Sequence, residues 1–149
     1  MEKGFTLIEV VASIAIIAML VLAIGALNSG NIKTNKTTLN RDSSFNIAMA
    51  ICEKFKSEAT TVDEKTAVLY INSLNDLDGY IITDLVNSTT ETPNTDIQSI
   101  RDGNSSHKLY AVVIEGFNKT IGGVNLNMLK VKVITMDKEN NGVTLQVSK

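Results

Sequence analysis

The 149 residues contain one cysteine, one proline, one histidine and no tryptophan. A single cysteine excludes an intrachain disulfide, so an exported domain of this chain must be held by its core. The formal charge of −2 argues against a nucleic-acid binder working by bulk electrostatics. No Gly-rich phosphate loop, zinc cluster or acid–base pair in a recognisable setting is present, so no reaction has a residue constellation behind it. Positive charge is scarce where it matters most, since only Lys3 precedes the long apolar run.

That run is the dominant feature. The chain opens MEKGFTLIEVVASIAIIAMLVLAIGAL, and from Val10 to Leu27 the only clearly polar residue is Ser13. A bilayer-spanning helix needs roughly 20 apolar residues, and Phe5 to Leu27 supplies them. A secretory signal fits poorly: the positive segment is minimal, and NSGNIKTNKTT offers no small-x-small cleavage site. Glu9 is also misplaced for a signal. A carboxylate at the rim of a bilayer-length segment costs free energy unless something neutralises it. Lys33, Lys36 and Arg41 follow the span, and a plain Lys/Arg count favours placing that side in the cytoplasm.

Gly4-Phe5-Thr6-Leu7-Ile8-Glu9 resembles the GFTLIE signature of type IV prepilins and type II secretion pseudopilins. The resemblance implies cleavage between Gly4 and Phe5 by a prepilin peptidase on the cytoplasmic face, then N-methylation of Phe5. It implies that Glu9 pairs with the Phe5 amine of a neighbouring subunit. That pairing relieves the penalty on a charge in a low-dielectric bundle only on assembly and in one axial register. It also implies an orientation opposite to the Lys/Arg count, with Met1–Gly4 in the cytoplasm and the Asn28–Lys149 region outside the cytoplasmic membrane, and later residence in a surface pilus or pseudopilus. The implied partners are the peptidase, other pilin subunits, the assembly platform and the membrane, with no nucleic acid expected directly; from the residues themselves no cofactor or metal site is expected, although some pseudopilins bind calcium in a C-terminal loop. Many major pilins carry proline where this chain has Ala26. That departure points to a minor pilin or pseudopilin.

The expected organisation is a leader at 1–4, a transmembrane and assembly segment at 5–28, and an exterior-facing domain at 29–149. Gly25, Gly30 and the NSGN stretch form a weak patch for a helix, and Asp42 or Ser43 would cap a new helix if one breaks there. Ala48, Ile51, Cys52, Phe55 and Ala59 then form one apolar stripe, with Glu53, Lys54, Lys56 and Glu58 on the wet face. Cys52 reads as a small core hydrophobe; His107, in the polar loop DGNSSHK, gives it no catalytic partner.

DEKTAVLYINSLNDL reads as a short helix sharing Ala67, Ile71, Leu74 and Asp78, with a strand over Ala67–Ile71 as the alternative. GYIITDLV reads as a strand, and NSTTETPNTDIQSIRDGNSS as a long loop. KLYAVVIEGF, LKVKVITM and VTLQV read as antiparallel strands with one wet face. DKENNG partly mimics a calcium loop, but its closing bidentate position is Ser148, which excludes an EF-hand and leaves a hairpin tip. Asp76 and Asp78 read as solvated.

The expected fold is therefore α+β: a long N-terminal spine helix, membrane-spanning in its first half, packed on a small C-terminal antiparallel sheet. The expected function is a structural filament subunit and not an enzyme. The alternative is a membrane-anchored extracellular binding module that does not polymerise.

Overall fold

The structure, a computed structural model, describes residues 6–137 and 142–149. Its first element is one continuous helix, α1, Leu7–Ser57. The helix does not break at Gly25, Gly30 or the NSGN stretch, so neither Asp42 nor Ser43 acts as a cap. Neither glycine has a neighbour within 4 Å of the place its Cβ would occupy. Thr34, Thr37 and Thr38 each turn their hydroxyls back to the carbonyl four residues earlier.

The chain divides into two compact units, Met1–Thr38 and Leu39–Lys149. In the first, every described residue is exposed except the half-buried Thr37.

The second unit holds the end of α1 and a four-stranded antiparallel sheet in the order β1-β2-β3-β4. The strands are β1 (Thr66–Ile71), β2 (Tyr110–Ile121), β3 (Val124–Thr135) and β4 (Val143–Ser148). Two short helices, α2 (Ile82–Asn87) and α3 (Ile97–Asp102), lie between β1 and β2, after a 3-10 turn at Leu74–Leu77. The stripe Ile47, Ala48, Ile51, Cys52 and Phe55 is buried against one sheet face, which presents Ala67, Leu69, Ile71, Val112, Ile114, Leu129, Val131 and Val133. Ala59 lies beyond the end of α1 and is exposed, so the stripe stops at Phe55.

The structure departs from the local sequence pattern between β1 and β2 and in β1 itself. Residues 66–71 form a strand because burial alternates through Ala67, Leu69 and Ile71; a helix would have turned Leu69 away. GYIITDLV, expected as a strand, instead enters α2 at Ile82. The Glu58 carboxylate accepts from the Ile82 and Thr83 N–H groups at 2.6 and 2.8 Å, satisfying two orphan donors of the helix start. Ile82 and Val86, four apart, then enter the core together. Glu58 is thus a cap supplied from another segment and not a solvated residue.

The polar excursion also contains an element. The Asp96 side chain caps α3 through the Gln98 and Ser99 N–H groups at 3.1 and 3.4 Å. Ile100 packs with Ala111, Val113 and Ile134 on the sheet face opposite α1. The face expected to be wet is therefore covered at one end. Farther along it, Lys130 and Glu115 form a half-exposed ion pair at 2.8 Å.

At the other end of the sheet, β2 and β3 run on as a ribbon and turn at Gly122-Gly123. Both glycines have positive φ, 58° and 83°, as a two-residue hairpin of type I′ requires. Gly116 fits beneath another chain segment: a Cβ there would lie 2.2 Å from the Asp63 carbonyl oxygen.

Candidate functional site

The candidate site is the start of α1. From Leu7 to Leu27 its large apolar side chains are exposed on every side, among them Leu7, Val11, Ile14, Leu20, Ile24 and Leu27. A helix apolar all round is covered by lipid or by other helices. The segment is long and apolar enough to cross a membrane.

The polar side chains of this segment are satisfied within the helix. Ser13 Oγ donates to the Glu9 carbonyl at 2.7 Å. The Thr6 N–H and the Thr6 hydroxyl both donate to Glu9 Oε2, each at 2.9 Å, and the Glu9 N–H donates to the Thr6 carbonyl at 3.1 Å. This is the returning half of a capping box: the acidic residue at the fourth position reaches back to the first residue's backbone donor. It places the carboxylate at the helix N-terminus, where the macrodipole favours negative charge.

Both Thr6 donors converge on Oε2, and Oε1 takes neither. A carboxylate has about four acceptor sites in all, so the cap leaves capacity for a further cation. Thr6 was not anticipated as a partner of Glu9. Its signal was in the sequence as T-x-x-E ahead of an apolar run, masked by the more specific GFTLIE pattern that overlaps it. Gly4 and Phe5, the expected cleavage and methylation positions, lie outside the described residues.

The other candidate chemistry separates spatially. Cys52 is buried in the core beneath the sheet, and burial raises its thiol pKa above the ordinary 9.0; nearby Lys56 opposes the shift and Glu53 adds to it. His107 is exposed in its loop. The Asp137 carboxylate accepts from Asn40 Nδ2 at 2.6 Å and from the Thr135 hydroxyl at 2.9 Å. The remainder of the DKENNG loop before Gly142 lies outside the described residues. Asp76 caps its own turn, accepting from the Asn72 N–H at 2.8 Å, with Lys108 at 4.0 Å. Asp78 is exposed. No group of three or more His, Cys, Asp or Glu side chains able to hold a metal occurs among the described residues.

Comparison with curated proteins gives no match, and comparison with solved structures gives none. Residues 1–25 match the family model described as the prokaryotic N-terminal methylation motif. The capped, all-round apolar helix start with Glu9 in its first turn is therefore part of a prepilin-type methylation motif, of the kind found in type IV pilins and pseudopilins.

Proposed function

We propose that this chain is a structural subunit of a type IV pilus or related pseudopilus and not an enzyme. In this reading a prepilin peptidase cuts after Gly4, Phe5 becomes the methylated N-terminus, and residues 5–28 anchor the subunit in the cytoplasmic membrane until assembly. Residues 29–149 form the exterior part. The orientation, leader inside and sheet outside, follows the processing motif against the pull of Lys33, Lys36 and Arg41. A minor subunit is the finer reading and rests on Ala26. Other pilins, the assembly platform and the peptidase are the partners.

One observation carries the reading. A carboxylate sits in the first turn of a helix whose side chains are apolar in all directions, inside a matched methylation motif. In a bundle of such helices Glu9 needs a cation, and the mature N-terminal amine of a neighbour supplies one at the same depth. An unpaired charge there is strongly penalised, so the pair fixes the axial register.

The test compares cleaved protein in membranes with protein in sheared surface filaments. Glu9→Leu should be inserted and cut normally yet enter filaments poorly, and Glu9→Asp should be intermediate. Wild-type incorporation of Glu9→Leu would reduce Glu9 to an interfacial residue. Full membrane retention of the wild type, with the leader attached and no filament-borne protein, would favour the anchored binding module instead.

A further inference from the structure

Among the described residues, one edge of the sheet is unpaired. β4 is the last strand in the order and pairs only with β3 among the described residues. Edge strands are normally blunted by charges, proline, bulges or a covering element. The β4 sequence, Val-Thr-Leu-Gln-Val-Ser, has no charge and no proline. Beside it runs an open groove of about 510 Å³ between the strand and α1, with Phe45, Val143 and Leu145 as apolar lining and Arg41 and Asp42 at its polar end. Phe45 is 45% exposed. At the other edge, β1 has α2 and the 3-10 turn as neighbours.

The same chain carries an element suited to that edge. β1 pairs with β2 only as far as Glu115, followed by one bond from the Gly116 N–H to the Lys65 carbonyl. β4 pairs with β3 only as far as Met128, followed by the Lys149 N–H to the Asn127 carbonyl. Among the described residues, Asn118–Leu126 therefore pair only with one another, and both outer ladder edges of the ribbon are unpaired. Strand alternation puts Lys119, Ile121, Val124 and Leu126 on one face, with Asn118, Thr120 and Asn125 on the other. Ile121 and Val124 are 53% and 60% exposed.

We propose that the ribbon edge Asn118–Ile121 of one copy adds as a strand to the β4 edge of a second copy, with Ile121 against Phe45 and Lys119 beside Asp42. The proposal rests on the filament-subunit reading for its biological setting. Main-chain hydrogen bonds supply the attraction, and alternate side chains entering the groove supply specificity. Lys119 and Ile121 lie two residues apart on one strand face, about 7 Å, and Asp42 lies one helical turn before Phe45. Arg41 lines the same groove, so the Lys119–Asp42 match sets register and does not drive affinity.

The chain's own ribbon cannot fill its own groove. The groove residue Val143 is opposite Val133, whereas the ribbon lies beyond Met128 on the same straight strand. The contact joins two different surfaces, so it is heterologous and can extend beyond two copies, as a ring or as an open array. It needs only two adjacent copies, so it suits a minor subunit as well as a major one.

The experiment uses the full-length chain in its native cells. Thr120 is paired as cysteine with Thr144→Cys in one variant and with Gln146→Cys in another. All three positions are exposed, and the native Cys52 is buried. Within one chain Gln146 lies opposite Lys130 and Thr120 opposite Asn125. The roughly 16 Å between those positions along β3 exceeds the ~7 Å Cα limit for a disulfide, and Thr144 lies farther still. Any bridge is therefore between chains.

Mild oxidation should give covalent dimers and a ladder of multimers in at least one double variant, and none with Thr120→Cys alone or paired with Ser105→Cys. Absence of cross-links in both double variants overturns the proposal, as does cross-linking solely to a different protein. Recovery in sheared filaments, scored on the same samples, reports separately on the filament reading. Cross-linked chain confined to membranes would leave the edge pairing standing and the filament reading refuted.

Discussion

The Thr6 amide and hydroxyl converge on a single oxygen of Glu9, each at 2.9 Å. The carboxylate is therefore held at the helix start by its own chain before any neighbour arrives. Thr6→Val removes one of the two donors and leaves the amide. Its filament incorporation should fall less than that of Glu9→Leu, measured as the filament-to-membrane ratio of cleaved protein. Equal loss in the two variants would mean that the carboxylate without the hydroxyl does not support assembly.

The stretch Asn28–Thr38 is helical although its side chains lie at the surface. Its residues are exposed apart from the half-buried Thr37. Asn, Ser, Thr and Gly cost roughly 0.5–1 kcal/mol each against Ala in a helix, and hydroxyls bonded back to the fourth preceding carbonyl add nothing to the ladder. Hydrogen exchange on the full-length protein in detergent should show fast-exchanging amides from Asn28 to Thr38 and strong protection from Ile47 to Phe55. Comparable protection in both would show that something outside the helix stabilises the polar stretch.

Gly116 is a close-approach position. A methyl group there would meet the Asp63 carbonyl at 2.2 Å and Val62 Cγ2 at 2.9 Å. Gly116→Ala should cost about 1–3 kcal/mol, the range for overpacking. Phe55→Ala, at a fully buried site beneath the Lys149 ammonium, should cost roughly 3–5 kcal/mol. Denaturant melts of the detergent-solubilised protein check both, and a neutral Gly116→Ala would contradict the packing of Val62 on the sheet.

Stability should fall on the alkaline side. Burial raises the Cys52 thiol above its ordinary 9.0 and the Tyr70 phenol above its ordinary 10.0; the Tyr70 hydroxyl also donates to the Ile100 carbonyl at 2.9 Å. Both groups are held in the protonated form by the fold. Their contribution is complete below the ordinary values and is lost as pH rises through the raised ones. Thermal midpoints should be flat from neutrality to near 9.0 and decline above it. Cys52→Ala should lower the midpoint at neutral pH and reduce the alkaline slope. An unchanged slope would mean that the thiol is not buried.

The legible parts of the sequence were those with strong local periodicity. Ile51, Cys52 and Phe55 announced the packed face of α1, and Leu129, Val131 and Val133 announced β3 by alternation. The misread parts depended on groups distant in sequence. Ile82 and Val86 were spaced for a helix, but the cap that starts it is the Glu58 carboxylate, from another segment. Ala67 and Ile71 fit helix and strand equally, and only the burial of Leu69 against the sheet separated them. In α3 the polar run hid just two isoleucines, Ile97 and Ile100, and their value lay in a sheet face that had been expected to be wet. At the candidate site Glu9 was legible from its isolation in an apolar run, whereas Thr6 was not, because its role depends on a side chain folding back one turn.

The central claim is that the chain is processed at Gly4 and built into a filament. The most direct measurement is the intact mass, with N-terminal sequencing, of the protein recovered from sheared surface filaments. The account predicts a chain beginning at Phe5 and carrying one added methyl group, and a Gly4→Val variant that keeps its leader and stays in the membrane. A filament-borne chain beginning at Met1, or a Gly4→Val chain that still begins at methylated Phe5, would contradict it.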